Sequence, residues 1–434
     1  MAFLISTKET RTQLEFTMKL IKPFKGLRPS RELAAKVASH PYDVLNREEA
    51  FELAKDNPLS FLHINKPEVD MDASVDVHDQ SVYEKGRESL DRFQAEGTLK
   101  QDSEEKLYVY KQVMGEHEQV GLVAVASVDA YENNLIKKHE FTRPVKEDDR
   151  VNHMVALDAQ VGPVFLTYKA HAEVDALVAK VMATDAEYDF EAEDGTRHVF
   201  WVVEEVALSA DIEAAFSEIK YLYVADGHHR SAAASRVKHL RQKQNPDHTG
   251  DESYNYFLVV LFPDDQMQIL DYNRIVKDLR GADTAEFLEK LSANFDIEKS
   301  DLQAVKPGSA RGFALYLDKQ WYTLKSNNNL ISQIDEANPV SSLDVSILQD
   351  FVFTPLLDIV DQRTDKRVDF VGGIRGLAEL ERRVDTGEWA AAFALYPTSI
   401  ESLMSIADAG EVMPPKSTWF EPKLKSGLVV HKLD

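Results

Sequence analysis

The segment Asp226–Arg230, which reads Asp-Gly-His-His-Arg, has the residue types and the order of an anion-binding turn. A short apolar run precedes it and an alanine-rich stretch follows it, so the sequence predicts a strand, a turn at Gly227 and a helix. The first backbone N–H groups of a helix point toward whatever lies before them, and the helix dipole favours an anion there. His228, His229 and Arg230 would add imidazole and guanidinium donors to a phosphate site.

The residues after this turn are unusually basic for so acidic a chain. No Asp or Glu occurs between Gly227 and Pro246, and the stretch contains four further basic residues, Arg236, Lys238, Arg241 and Lys243. The alternative is that the histidines and Arg230 only cap a helix and pair with surface carboxylates. The local positive charge favours binding of an anion.

Two further segments contain groups suited to catalysis or to substrate binding. Glu140 lies in a charged segment that continues to Arg150, and it would accept a proton from a hydroxyl if the fold brought it near the turn. Arg143 in the same segment is a candidate for substrate binding, although a solvated charged loop explains the segment equally well. Lys416-Ser417-Thr418 follows two prolines and would bind an anionic substrate group, or it is simply a loop before an edge strand.

The same segments contain several residues of metal-ligand type. They are Asp226, His228, His229, His139, Glu140 and His153. Adjacent histidines at a helix start diverge, and no His-Glu-x-x-His spacing occurs, so we do not expect a closed zinc site. A magnesium ion held mainly by nucleotide phosphates and by one carboxylate, Asp226, fits the pattern better.

Composition limits the classes of function. The 434 residues include 74 acidic and 50 basic side chains, a formal net charge of -24, and no cysteine. Cysteine nucleophiles, thiolate metal sites and disulfides are therefore excluded, and so acidic a surface disfavours nucleic acid as a partner. The apolar runs are too short to span a bilayer and no secretory signal is recognisable, which predicts a cytoplasmic protein without membrane contact. Homo-oligomerisation is left open.

Strands that occur in pairs and alternate with helices predict a mixed α/β or α+β architecture rather than a regular doubly wound sheet. Residues 1–17 differ in character from the rest of the chain and are expected to be an N-terminal extension or an expression remnant. Residues 18–280 would form the domain that contains the Asp-Gly-His-His-Arg motif. Residues 281–434, in which helices and strands alternate again, would form a C-terminal α/β domain.

The order of several motifs resembles a widespread prokaryotic family of domains of unknown function. The segments that carry the resemblance are Lys22–Pro29, His40–Asp43, His139-Glu140 with Thr142, Ala225–Arg230, Asp271–Arg274 and Met413–Thr418. The Asp-Gly-His-His-Arg motif is also similar to that of the free serine kinases of the ParB/sulfiredoxin superfamily. Sulfiredoxin itself needs a cysteine where this chain has His228, and ParB is a DNA-binding clamp, which the acidic charge disfavours.

The resemblance to free serine kinases implies a ParB/sulfiredoxin-like core with additional α/β layers, and ADP or ATP and Mg²⁺ as cofactors. Those enzymes transfer a phosphoryl group to the hydroxyl of free L-serine, with the motif at the nucleotide phosphate and an upstream glutamate as base. By this resemblance Gly227, His228, His229 and Arg230 would bind the nucleotide. Glu140 would be the base, although its separation from Asp226 is longer than in the compact kinase pattern.

The resulting hypothesis is a small-molecule kinase, in which Glu140, Asp226 and His229 take part in catalysis. Asp226 would bind Mg²⁺ or orient the acceptor. A small hydroxyl substrate would bind through Lys416, Ser417, Thr418 and Arg143. The alternative is a regulator that binds a nucleotide or phosphometabolite without turning it over.

Overall fold

The computed structural model describes residues 19–301 and 304–433, so the expected extension over residues 1–17 lies outside the described residues. The chain forms two compact units, each with most of its contacts within itself. The first contains the chain up to Met267 together with a C-terminal return from Pro422 onward, and the second contains Gln268–Glu421. These units are defined by contacts and do not test independent folding. The predicted domain boundary between residues 280 and 281 therefore stays a prediction.

A large mixed sheet forms the centre of the first unit. Eight of its strands follow one another in the order Ile136–Lys137, Leu222–Asp226, Val164–Tyr168, Tyr256–Pro263, His117–Ser127, Tyr108–Met114, Arg197–Val202 and Tyr188–Glu191. A ninth described strand, Ile21–Lys22, pairs with His117–Ser127. Leu222–Asp226 runs parallel to Ile136–Lys137, and Tyr256–Pro263 runs parallel to Val164–Tyr168. The other pairings are antiparallel.

Helices cover this sheet and close its core. The described α-helices of the first unit are Ala34–Val37, Arg47–Ala54, Leu62–Asn65, Gln80–Ala95, Val128–Glu132, Pro144–Leu157, Ala172–Met182, Val206–Ser217 and His228–Gln244. Alternate strand residues such as Leu222 and Val224 point to one face, because side chains of a strand alternate. There they share a buried cluster with Ala172–Met182 and Val206–Ser217. The helix His228–Gln244 contributes Ala234 to this cluster and also packs against Pro144–Leu157.

Shorter elements complete the first unit. Leu27–Pro29 pairs with Leu99–Gln101, and His431–Lys432 of the C-terminal return pairs with Ala159–Gln160. The 3₁₀ turns are Pro67–Asp70, Ser253–Asn255 and Asp264–Gln266. The return is therefore held in the first unit by backbone pairing.

The second unit is built on an antiparallel sheet. Its six described strands follow the order Phe295–Lys299, Gln320–Ser326, Gly312–Leu317, Ala391–Leu395, Tyr272–Val276 and Val368–Gly372. A separate two-stranded sheet joins Gln268–Leu270 to Trp419–Glu421. The helical segments are Thr284–Ser292, Asn328–Ile331, Asp344–Leu348, Gln349–Phe353 (a π-helical turn), Thr354–Leu357, Gly373–Arg375 (3₁₀), Leu377–Asp385 and Ile400–Asp408.

The predicted mixed α/β class is confirmed at this level, with one large mixed sheet. The charged segment after Glu140, for which a solvated loop was one of two interpretations, forms the helix Pro144–Leu157. The strand His117–Ser127 is followed directly by the helix Val128–Glu132. No helix in the described part of the chain combines the length and apolarity needed to cross a bilayer.

Candidate functional site

The segment Asp226–Arg230 forms the strand, turn and helix that the sequence predicts. The strand ends at Asp226, Gly227 follows with a φ of 104°, and the helix begins at His228. Such a φ favours glycine. A Cβ atom at this position would also lie 3.2 Å from Arg230 Nε and 3.3 Å from Val164 Cγ1. Gly227 therefore allows both the turn and the close packing of the Arg230 guanidinium beneath it.

The parallel strand Ile136–Lys137 brings a second segment to this turn. Its register pairs Lys137 with Tyr223, so the next residues run beside the end of the motif strand. His139 forms a hydrogen bond with the backbone of Val224, which fixes the ring beside that strand. Glu140 thereby approaches the helix start although 86 residues separate it from Asp226 in the sequence.

Two cations face the carboxylate of Asp226. Lys423 Nζ lies 3.1 Å from Asp226 Oδ2, and an Arg230 terminal nitrogen lies 4.0 Å from Asp226 Oδ1. Burial disfavours ionisation of Asp226, but Lys423 and Arg230 outweigh it and hold the pKa of this carboxyl far below its usual value. Asp226 is therefore ionised at neutral pH and holds the two cations beside the turn.

The guanidinium of Arg230 is buried and only partly satisfied. It donates to the carbonyl oxygen of Pro163, and a terminal nitrogen lies 3.8 Å from Asp43 Oδ2. Its Nε is buried and has no hydrogen-bond partner among the described residues. An anion at the turn would therefore meet a cation whose hydrogen-bonding capacity is not exhausted.

Two imidazoles and a carboxylate cluster on the other side of the turn. The His139 and His228 rings meet edge to face with centroids 4.5 Å apart, and His228 Nδ1 lies 3.8 Å from Glu140 Oε2. Burial lowers the pKa of His139 to about 4 and that of His228 well below its usual value, where the neighbouring His139 contributes further. Both rings are thus neutral at physiological pH and present nitrogen lone pairs.

His229 diverges from His228, as expected for adjacent residues at a helix start. Its Nε2 accepts the backbone N–H of Arg143 at 3.0 Å, so the neutral ring has its proton on Nδ1. Burial, and then the charge of Arg143, lower the pKa of His229. This ring can donate a hydrogen bond from Nδ1 at neutral pH.

At the turn around Gly227 the structure places Glu140 beside His228 and Arg230 beside Asp226, and it places the backbone of Arg143 against His229. Lys416, Ser417 and Thr418 belong to the second unit. There Lys416 Nζ lies 5.5 Å from the ring centroid of Tyr272, and Ser417 Oγ donates to the carbonyl of Pro414 at 2.7 Å. Substrate binding by these three residues stays a prediction.

Two residues at the site were not among the predicted site residues. Lys423 reaches Asp226 because the C-terminal return comes back to the first unit, where the Lys423 carbonyl accepts a hydrogen bond from Gln112 at 2.9 Å. Asp43 faces Arg230 from the loop after Pro41. The polar segment His40–Asp43 is a sequence signal for the contact between Asp43 and Arg230. No local sequence pattern indicates the contact between Lys423 and Asp226.

Residues 21–346 match the family described as Protein of unknown function (DUF1015), and the chain therefore belongs to this family. No curated protein matches the chain.

Among solved structures, this chain is similar to three proteins at low identity. A free serine kinase in complex with AMP has a TM-score of 0.33 and 14% identity, covering 70% of this chain and 92% of that chain. A conserved hypothetical protein from Pyrococcus furiosus has a TM-score of 0.32 and 16% identity, covering 70% and 95%. SbnI with a C-terminal truncation, from Staphylococcus aureus, has a TM-score of 0.35 and 11% identity, covering 70% and 84%.

Proposed function

We propose that this protein is a nucleotide-dependent phosphotransferase that moves a phosphoryl group from ADP or ATP to a small hydroxyl metabolite such as free L-serine. The observation that supports it most is the convergence of Lys423 and Arg230 on Asp226 at the start of the helix His228–Gln244. Two cations beside the backbone N–H groups of a helix start suit the phosphates of a nucleotide. The choice of serine comes from the resemblance of the motif to free serine kinases alone.

In this proposal the turn binds the phosphates. The backbone at Gly227 and the side chains of His228, His229 and Arg230 donate to phosphate oxygens and stabilise the charge that moves during transfer. His229 donates from Nδ1, since its Nε2 accepts from the backbone of Arg143. Lys423 joins this set although its side chain comes from the far end of the sequence.

Asp226 has two candidate roles in the proposal. Its partly exposed carboxylate offers oxygen ligands of the kind Mg²⁺ prefers, together with the nucleotide phosphates. Its ion pair with Lys423 competes with a metal, and supports a role in orienting the two cations. When bound, Mg²⁺ would neutralise charge on the phosphate oxygens.

Glu140 acts as the proton acceptor in the proposed reaction. Its side chain is 43% exposed and lies beside His228, so a small hydroxyl compound can approach the carboxylate. The acceptor oxygen forms a bond to the terminal phosphorus, the bond from phosphorus to the bridging oxygen breaks, and the hydroxyl proton passes to Glu140. The products are the phosphorylated acceptor with AMP from ADP, or with ADP from ATP. Arg143, Lys416, Ser417 and Thr418 are candidates for binding the acceptor's carboxylate.

A regulator that binds nucleotide without turnover is the second candidate. One contact favours it: His229 Nε2 is already occupied by the Arg143 N–H, so this ring has no lone pair free to accept a proton. A site of this kind holds phosphate well and contributes less to proton transfer.

The experiment is an assay for phosphorylated product with the full chain. Purified protein is incubated with Mg²⁺, L-serine and either ADP or ATP, and phosphoserine is measured by mass spectrometry. We expect product with at least one nucleotide, and we expect Glu140→Gln to lower kcat by about 100-fold or more while the Kd for nucleotide stays within about two-fold. The matched control is Glu116→Gln, which changes an exposed glutamate in the turn before strand His117–Ser127.

The outcomes separate the two candidates. Nucleotide binding without phosphoserine from either donor contradicts the serine kinase and favours the regulator. Equal loss of activity in Glu140→Gln and Glu116→Gln would remove Glu140 from the role of proton acceptor.

A further inference from the structure

His139, which has no role in the proposed transfer, lies together with Glu140 and His228 in a cluster of metal-ligand type. One nitrogen of each imidazole and one carboxylate oxygen of Glu140 all lie within 4.8 Å of one another. The two imidazoles are buried, with 2% and 4% of their residue surface exposed, whereas Glu140 reaches solvent. Three side chains of metal-ligand type thus converge from two separate segments of the chain.

Both histidines also have a buried ring nitrogen without a partner. His139 forms a hydrogen bond with the backbone of Val224, yet its Nδ1 finds no partner in the part of the chain that the structure describes. The same holds for Nε2 of His228. A buried polar atom without a hydrogen-bond partner is unfavourable, so two of them on rings whose centroids are 4.5 Å apart need a physical reason.

We infer that His139, Glu140 and His228 bind one divalent transition-metal cation, and that Zn²⁺ is the best match. Two neutral imidazoles and a carboxylate are ligands that Zn²⁺ takes, while Mg²⁺ prefers oxygen ligands alone. Three protein ligands leave a position for water or an anion's oxygen. The site is therefore an open one, unlike the closed zinc site that the sequence argues against.

The contact between His139 and the backbone of Val224 supports this assignment independently. A metal-binding histidine usually donates its other ring N–H to a carbonyl or carboxylate, which fixes the ring and directs the remaining lone pair to the metal. His139 has this arrangement, with its second nitrogen unpartnered among the described residues.

The separation of the ligand atoms allows one cation to bind after a small side-chain movement. Zinc bonds of about 2.0–2.2 Å bring tetrahedral ligand atoms to about 3.4 Å from one another. The three atoms here lie within 4.8 Å, and the Glu140 side chain is exposed enough to rotate toward the rings. A small movement of one side chain is sufficient.

Metal binding at this site does not depend on the proposed function, but inhibition of phosphoryl transfer by the metal does. A zinc ion would hold the carboxylate that the phosphotransferase proposal uses as proton acceptor, so Zn²⁺ would inhibit the transfer. If the protein has no phosphotransferase activity, a direct test of metal binding is unaffected.

The test is a titration of tag-free, chelator-treated full chain with Co²⁺, a spectroscopic substitute for Zn²⁺. We expect visible absorption of a low-coordinate Co²⁺ site that saturates at one ion per chain and disappears when Zn²⁺ is added. Glu140→Gln should weaken Co²⁺ binding at least about ten-fold, and His228→Asn and His139→Asn should abolish the spectrum. The matched control His239→Gln removes an exposed histidine of the same helix and should leave the titration unchanged.

Circular dichroism without metal establishes whether each histidine variant folds. Because Glu140 is exposed, Glu140→Gln remains informative even if both histidine variants unfold. No saturable Co²⁺ spectrum in the wild-type chain overturns the inference. So does an unchanged Co²⁺ affinity in Glu140→Gln, or a spectrum lost equally in His239→Gln.

Discussion

Asp226 shows how single side chains set the character of this site. Its carboxylate is ionised because the favourable interactions with Lys423 and Arg230 exceed the cost of burial. The guanidinium of Arg230 in turn packs beneath Gly227, where a Cβ atom would lie only 3.2 Å from Nε. Gly227, the Asp226 carboxylate and two cations, one of them from the C-terminal return, therefore depend on one another at this turn.

At this scale we expect Gly227→Ala to lower the free energy of unfolding by about 2 kcal/mol. The left-handed φ of 104° costs about 1–2 kcal/mol for a residue with a Cβ atom, and crowding against Arg230 and Val164 adds to it. The control Gly195→Ala has a φ of 77° but no atom within 4 Å of the added Cβ, so it should cost less. Urea unfolding of the three proteins measures both values, and equal losses would contradict the role of close packing at Gly227.

At the scale of elements, the sequence predicted those helices, strands and turns that depend on neighbouring residues alone. The strand, turn and helix around Gly227 result from an apolar run, a glycine and an alanine-rich stretch. The helix Pro144–Leu157 was missed because its charged face dominates the sequence, although Pro144 at the first position and Val151, Met154 and Leu157 at three-residue spacing indicate it. The parallel pairing that brings Glu140 to the turn is non-local, and no spacing in the sequence could predict it.

The short helix Leu62–Asn65 and the 3₁₀ turn Pro67–Asp70 are joined by a titratable contact. His63 Nδ1 lies 2.9 Å from both carboxylate oxygens of Asp70, and its Nε2 lies 3.0 Å from the carbonyl of Asn57. The hydrogen bond to Asp70 raises the pKa of His63 above its ordinary 6.5. A raised folded-state pKa means that this stabilisation is complete below pH 6.5 and is lost as pH rises through the folded value.

We therefore expect the wild-type free energy of unfolding to fall by about 1 kcal/mol or less as pH rises from below 6.5 through the folded pKa of His63. Asp70→Asn should remove most of this dependence, because the charged partner is gone. Urea unfolding across this pH range, compared with the exposed Asp56→Asn as control, measures it. A pH profile of Asp70→Asn that parallels the wild type would refute the assignment.

At the scale of the whole molecule, the C-terminal return links the end of the chain to the first unit. Leu27 pairs with Val430 through two backbone hydrogen bonds of 2.9 and 2.8 Å, and Lys423 reaches Asp226 from the same return. The first unit therefore needs residues from Pro422 onward both for its packing and for one cation of its site.

Val430→Asp should destabilise the protein by about 3–5 kcal/mol, because it places an unpaired charge at a position that is 0% exposed. Val206→Asp is the matched control, since Val206 is 78% exposed and begins a helix where an acidic residue is tolerated. Thermal unfolding compares the two variants. A similar melting temperature for both would show that the return is not part of the first unit's core.

The binding of a nucleotide at the turn after Asp226 is tested most directly by calorimetric titration of the full chain with ADP and Mg²⁺. We expect saturable binding at one site, and a Kd at least about ten-fold weaker in Lys423→Gln, because a charge-assisted hydrogen bond contributes about 1.5–3 kcal/mol. Lys180→Gln, at an exposed lysine of the helix Ala172–Met182, should bind like the wild type. No binding of ADP by the wild type, or equal Kd values for Lys423→Gln and Lys180→Gln, would contradict a phosphate site at this turn.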